Sequence, residues 1–321
     1  MAGLVGNQAW WALSRQTAKG TASATASYKY PFADGNFSPN RETDSLSETD
    51  SSRDPGTTYV KSSGVQGDPS MYARLASIGL PLLTSFGTLV TTGTTDYTHT
   101  FTLGTTLNYV TAWRMLGGLL WERYEDCMVD EFSISAGAGE PLMASLSLMG
   151  RRATRLTSDP ASGVNLDNAN PFNFNEAAIT LSSGATSLIS NFEMTLSNGV
   201  SLQQTDDVVP YDVVAGTREL SVGFDLIFEN LDEYNKFHYG TTAGTVISNA
   251  IYTTDASFTF TKTATQELSF TFPRISLEEF PVAPDAGGDP ITVSVRGVGQ
   301  RGGTSMVTAV LKNQVASYPA S

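Results

Sequence analysis

The sequence predicts a mainly β protein built as two tandem β-sandwich-like units, each with one short α-helix. Three observations predict it. Apolar residues alternate with small or hydroxyl-bearing ones in many short runs separated by Gly, Pro and Asn. Charged residues make up only 16% of the chain, which leaves Ser, Thr and Gly to cover the surface, a composition that favours strands and turns over helices. Finally, EFSISAGAGEPLMASLSLMGRR, from Glu131 to Arg152, reads like EFPVAPDAGGDPITVSVRGVGQR, from Glu279 to Arg301. Both open on Glu-Phe, cross a small-residue turn, meet an acidic residue before Pro, run as an alternating strand and close near Gly-x-Arg. A repeat of that length implies two copies of one folding unit, and 321 residues allow each copy a core of its own.

In chain order, residues 1–58 form an N-terminal arm and extended loop, 59–160 the first unit and 161–321 the second. The stretch from 17 to 58 is polar and turn-rich, with Gly20, Pro31, Gly35, Pro39 and Pro55 among Ser, Thr, Asp and Glu. It has little to bury, so it is either a disordered arm in the isolated chain or a long hairpin ordered by neighbouring copies. Asp68-Pro69 offers an N-cap and a first-turn proline, and Tyr72, Leu75, Ile78, Leu82 and Leu83 recur near helical spacing, with Gly79 and Pro81 weakening the second half. Residues 96–103 put Tyr97, His99, Phe101 and Leu103 on one face and threonines on the other, the pattern of a half-buried strand. Further strands follow over 107–135, broken at Gly117-Gly118. The Pro-, Gly- and Asn-rich stretch 157–175 is the natural boundary between units.

In the second unit Ile189 to Val200 reads as a strand ending in an Asn198-Gly199 turn, and Leu220, Val222, Phe224, Leu226 and Phe228 alternate with polar or small neighbours. Asn230 is placed to cap a second helix whose stripe is Leu231, Tyr234 and Phe237 and whose end is Gly240. Strand patterns recur at 256–262, 267–277, 291–299 and 305–312.

The residues carry little that points to catalysis. Cys127 is the lone cysteine and reads as a small buried hydrophobe, which leaves no disulfide and no cysteine-rich metal cage. His99 and His238 have no ligand-type residue at metal spacing beside them and read as structural. There is no G-x-S-x-G elbow, and the G-x-G-x-x-G match at Gly297 to Gly302 leads into a strand, so it reads as a loop. Asp167 and the Asp285 to Asp289 stretch lack the oxygen-ligand spacing of a calcium loop. Carboxylates crowd two stretches, Glu122, Glu125, Asp126, Asp130 and Glu131, then Asp206, Asp207, Asp212, Glu219 and Asp225. No aromatic-lined cleft fixes any two of them as a glycosidase pair, so they read as a solvated acidic surface or as groups facing a cavity shared between copies. A net charge of −13 argues against an electrostatic grip on nucleic acid or anionic lipid, and no run approaches the ~20 apolar residues of a membrane helix. The expectation is a soluble, non-enzymatic protein with no cofactor and no membrane, folded in the cytoplasm where it is made.

KGTASATASYKYPFADGNF, ETDSLSETDSSRD, TGTTDYTHTFTLGTTLNYVTAWRMLGG and WERYEDCMVDEFSISAGAGEPLMASLSL together resemble the major tail, or tail tube, proteins of long-tailed bacteriophages. The likeness is most specific from Asp68 to Arg152 and continues through NFEMTLSNGV and VPYDVVAGTRELSVGFDLIF. The resemblance implies a structural virion protein whose copies close into rings, stack into a tube and conduct double-stranded DNA without holding it. Two fused units per chain imply a ring of three with pseudo-sixfold outline, where single-unit relatives need six. Further partners implied are the tape measure protein and the tail-tip and tail terminator proteins. The resemblance makes Glu122, Glu125, Asp126 and Asp225 candidate lumen-facing acids. It makes Arg41, Glu42, Asp44, Glu48, Asp50 and Arg53 a candidate arm reaching the next ring. The competing reading is a carbohydrate- or receptor-binding β-sandwich of a tail tip or capsid decoration, whose expected mark is an aromatic groove. Trp10, Trp11, Trp113 and Trp121 are all confined to the first half.

Overall fold

The structure, a computed structural model, describes residues 8–48, 54, 56–182, 184–186, 188–229, 231–283, 290–303 and 305–318. In chain order, β1 (Ala9–Arg15) and β2 (Tyr28–Pro31) precede a hairpin of β3 (Phe37–Ser45) and β4 (Thr58–Gly67). Then come β5 (Ser70–Tyr72), α1 (Gly79–Phe86), a second hairpin of β6 (Gly87–Gly93) and β7 (Tyr97–Leu103), and β8 (Val110–Leu116), β9 (Leu120–Gly137), β10 (Met143–Gly150) and β11 (Arg152–Leu156). A 3₁₀ turn at Phe174–Glu176 opens the second half, which holds β12 (Ala177–Leu181), β13 (Gly184–Thr186), β14 (Ile189–Ser197), β15 (Ser201–Gln203), β16 (Asp212–Val214) and β17 (Glu219–Ile227). It ends with α2 (Asp232–Tyr239), β18 (Thr253–Thr263), β19 (Gln266–Glu279), β20 (Thr292–Gly299) and β21 (Thr308–Asn313). The protein is mainly β, and its strand ladders are antiparallel.

Two long strands, β9 and β19, each serve two sheets. The N-terminal half of β9 lies between β8 and β11, with β1 and then β2 beyond β8. Its C-terminal half lies between β10 and β14. In the same way the N-terminal half of β19 lies between β18 and β21, with β12 and then β13 beyond β18, and its C-terminal half pairs with β20. The pairing of β8 to β11 thus matches that of β18 to β21 strand for strand. One difference stands out. The β6–β7 hairpin sits between α1 and β8, and β7 pairs with the outer edge of β21, whereas no strand lies between α2 and β18.

The middle sheet runs β3-β4-β10-β9-β14-β17-β20-β19, crossing from the first half to the second through the β9–β14 ladder. Its inner face carries Phe132, Ile134, Leu146, Met194, Val222 and Val295, all buried in one apolar cluster with residues of both halves. Each such side chain contributes about 1.5–3 kcal/mol by leaving water. The N-terminal segment joins this core. β1 is buried on both faces, with Trp10 against Trp113 and Trp11 stacked on Tyr30 at 4.3 Å.

The helix expected from Asp68 starts later, and this is a correction. Asp68 accepts a hydrogen bond from the Asn36 amide at 3.1 Å, and Ser70–Tyr72 pairs with β10, so the first part of the pattern is a strand. α1 occupies the half that holds Gly79 and Pro81. Pro81 is tolerated because first-turn amides have no intrahelical acceptor to lose. Gly79 is required because a Cβ there would fall 2.1 Å from the Tyr318 ring. All eight residues of α1 are buried, and the Thr84 and Ser85 hydroxyls donate back to Leu80 O and Pro81 O, which satisfies them in an apolar setting. The second helix falls where the stripe places it and ends at Gly240 in the left-handed conformation, φ 79. Its proposed cap Asn230 lies outside the described residues.

Candidate functional site

The feature with the most organised chemistry is the outer face of the middle sheet. Strand alternation puts polar residues there at every second position, and the ladders set them in rows. One row is Ser147, Glu131, Ser197 and Glu219; the next is Ser145, Ser133, Thr195, Ser221 and Val298. A third is Met143, Ser135, Glu193, Gly223 and Arg296, and a fourth is Asn191, Asp225 and Ser294. Glu131, Glu193 and Glu219 are exposed. Asp225 is half-buried, accepting from Ser294 Oγ at 2.6 Å and Asn191 Nδ2 at 3.3 Å. The face is therefore mainly a field of hydroxyls and carboxylates, interrupted by Met143, Gly223 and Val298, with Arg296 as a cation within it.

The structure separates the acids singled out in the sequence. Asp225 shares this face with Glu131 and Glu219, and Glu193 joins them. Glu122, Glu125 and Asp126 lie on the N-terminal half of β9, outside the middle sheet, and each is held by an arginine. Glu122 accepts from Arg114, which also donates to Asn36, and from Tyr124 Oη at 2.7 Å. Glu125 pairs with Arg123 at 2.6 Å and accepts from Thr154 Oγ1 at 3.1 Å. Asp126 is buried at the bend of β9 with φ 51, pairs with Arg151 at 2.6 Å and accepts from the Gly20 amide at 2.7 Å. Asp is among the few residues that enter the left-handed region readily, which lets the strand turn there from one sheet into the next. Asp212 is bound by Lys19 at 2.8 Å and by Tyr109 Oη at 2.8 Å; burial and then this carboxylate push the Tyr109 phenol up to about 12.

The β3–β4 hairpin is the second feature. Phe37 anchors its base in the core, and beyond it every residue of β3 is exposed. The register sets Arg41 opposite Ser63 and Asp44 opposite Tyr59, and Glu42 takes hydrogen bonds from Lys61 and Ser62, each at 3.0 Å. Those bonds hold the Glu42 carboxyl below its usual range. The β15–β16 excursion braces the hairpin through Ser63 N–H to Val208 O at 2.7 Å. Arg41, Glu42, Asp44 and Glu48 lie on the exposed hairpin, while Asp50 and Arg53 lie outside the described residues.

Neither histidine meets a catalytic partner. His99 is fully buried between Thr91 Oγ1 at 2.9 Å and the oxygens of Val315 and Asn313. His238 lies at the end of α2 near Phe280 O. Cys127 is buried, and burial pushes its thiol well above the ordinary range. Among the described residues no group of three metal-ligating side chains converges, and no helix is long and apolar enough to cross a membrane. The Asp285 to Asp289 stretch lies outside the described residues.

Residues 6–299 match the family model described as phage tail tube protein. No curated protein matches the chain.

Proposed function

The chain belongs to the phage tail tube protein family, and from that premise we propose that three copies close into a ring of pseudo-sixfold outline, that rings stack into the tail tube, and that the genome passes through the bore at ejection. The role is structural, in the virion tail. The observation that carries the reading is the middle sheet, which already continues from one half to the other through β9 and β14. By the same step, β3 of the next chain continues the sheet at the end of β19 beyond Ser276, where β18 no longer covers its edge, so that each chain adds its strands to one closed wall. Closure removes the edges that would otherwise recruit strands without limit.

The outer face of that sheet then lines the bore. Its hydroxyls keep it wet, and Glu131, Glu193, Glu219 and Asp225 repel phosphates, so DNA slides instead of adhering. A ring of three carries roughly 39 negative charges, from −13 per chain. The candidate lumen acids Glu122, Glu125 and Asp126 face an environment already balanced by arginine, which gives them the part of fixing the β9 bend. The β3–β4 hairpin projects to the adjacent ring, where its pairing groups find new partners. The tape measure protein inside the tube, and tail-tip and terminator proteins at its ends, complete the set of partners. Electron microscopy of the purified chain tests the reading. Rings whose axial projection contains three chains are expected, and a chain that stays monomeric at high concentration, with or without a nucleating tail tip, would refute it.

A further inference from the structure

The contact that joins the two halves inside one chain supplies a template for the contact between chains. β21 is paired on both edges, with β19 on one side and β7 of the first half on the other. Its counterpart in the first half is β11, which occupies the same place beside the N-terminal half of β9. β11 has β9 on one edge; along the other lies an open groove of about 340 Å³ between it and the β3–β4 hairpin, lined by Arg41, Gly64, Arg151, Arg152 and Thr154. Arg152 to Arg155 are exposed. The first half thus holds a strand edge whose equivalent in the second half is filled.

What fills the equivalent edge comes from the segment between helix and next strand, residues 87–103, after α1. The matching segment after α2 is 240–252. It forms no strand in the chain and holds, among the described residues, the most exposed large apolar side chains, Val246 at 79%, Ile247 at 76% and Ile251 at 75%. Three such side chains in water are a liability unless something covers them. The span 245–251 can extend to about 23 Å at ~3.3 Å per residue, enough to run along the five residues of β11.

We infer that residues 240–252 of one chain add as a β-strand to the open edge of β11 in the next chain, as β7 adds to β21 within a chain. The inference rests on the ring reading above and names the surfaces that hold it together. The occupant is a second copy, because the donor and the acceptor both lie in this chain and are the counterparts of β7 and β21, through which its own halves join. The contact is head to tail: every chain offers one donor and one acceptor, which is the condition for a closed ring. Charge does not oppose it, since residues 240–252 carry no charged side chain to meet Arg152 and Arg155 of the acceptor.

Paired cysteines test it cleanly because Cys127 is buried. Val246→Cys is combined with Thr154→Cys, and in a second variant Ile247→Cys with Thr154→Cys, since neighbouring strand residues point to opposite faces. Both sites are exposed, so folding is retained. Assembled material is oxidised and run under non-reducing denaturing conditions. Most chains are expected to shift into covalent dimers and trimers with one of the two pairs. A mixture of two chains carrying one cysteine each should stop at dimers. Rings visible by electron microscopy whose chains all run as monomers with both pairs would overturn the inference and leave the ring reading standing. Absence of rings from the parent chain would overturn both.

Discussion

At the scale of single residues, this chain uses its few charged side chains to fix backbone geometry. Asp126 turns β9 from one sheet into the next and is held there by Arg151, with both side chains almost wholly removed from water. Removing one partner of a buried pair leaves the other charge uncompensated, so Asp126→Ala should destabilise the fold by about 3–5 kcal/mol, read from urea unfolding. An unchanged midpoint would show that the bend does not depend on the pair. His99 makes the opposite use of a titratable group. Its Nε2–H donates to Val315 O at 2.8 Å, Thr91 donates to its Nδ1, and burial holds its pKa below the ordinary 6.5, partly offset by the bonds to Val315 and Asn313. Above 6.5 folded and unfolded chains both carry it neutral, so it contributes no pH dependence. Below 6.5 the unfolded chain takes up a proton that the folded chain refuses, and stability falls as pH drops towards the folded value. The urea midpoint should therefore decline from pH 7 to pH 5 more steeply in the parent than in His99→Gln, and equal slopes would remove His99 from the acid response.

At the scale of elements, alternation and turn residues make most strands legible. β7, β17 and β20 fall where Phe101, Phe224 and Val295 recur at every second position, and α2 ends at its glycine. α1 is displaced because Asp68-Pro69 has the residue types of a helix start while its carboxylate serves a turn at Asn36, a partner thirty-two residues away that no local pattern reveals. The candidate acids divide for a related reason. Alternation tells which residues of one strand share a face, but it cannot tell that β9 changes sheet at Asp126, so Glu122 and Glu131 look like one cluster in the sequence. Glu193 is visible in NFEMTLS as an outward position but becomes part of a site only when β14 is set beside β9. The β3–β4 hairpin offers the test proper to this scale. Phe37 and Tyr30 belong to the core, so a deletion must spare them. Replacing residues 43–60 by a short glycine-serine turn should leave the unfolding free energy within about 0.5 kcal/mol of the parent's, the range of surface changes. It should also reduce tubes to single rings in electron micrographs. Tubes of parental length would end the assignment of the hairpin to ring stacking.

At the scale of the whole molecule, the question is which acidic surface the genome meets. Two surfaces compete, the arginine-paired group of Glu122, Glu125 and Asp126, and the row face of Glu131, Glu193 and Glu219. Only the second is exposed on a sheet that both halves share, and its carboxylates extend into solvent. Exchange to lysine separates them because each exchange shifts the charge at its site by two. On the row face, Glu131→Lys, Glu193→Lys and Glu219→Lys together should leave the melting temperature close to the parent's, because no packed neighbour is disturbed. Tubes should still assemble, while a cationic lining that releases counterions from DNA should slow genome ejection, most strongly at low salt, since such attraction weakens steeply as salt rises. Glu122→Lys should instead place a second cation against Arg114 and Tyr124 and lower the melting temperature itself, so any loss of infectivity would follow the loss of folded protein. Ejection kinetics measured on tails of normal length decide between the two. If the triple exchange leaves the rate and its salt dependence unchanged, the row face does not line the bore, and the sheet must be turned with its hydroxyls and carboxylates outward.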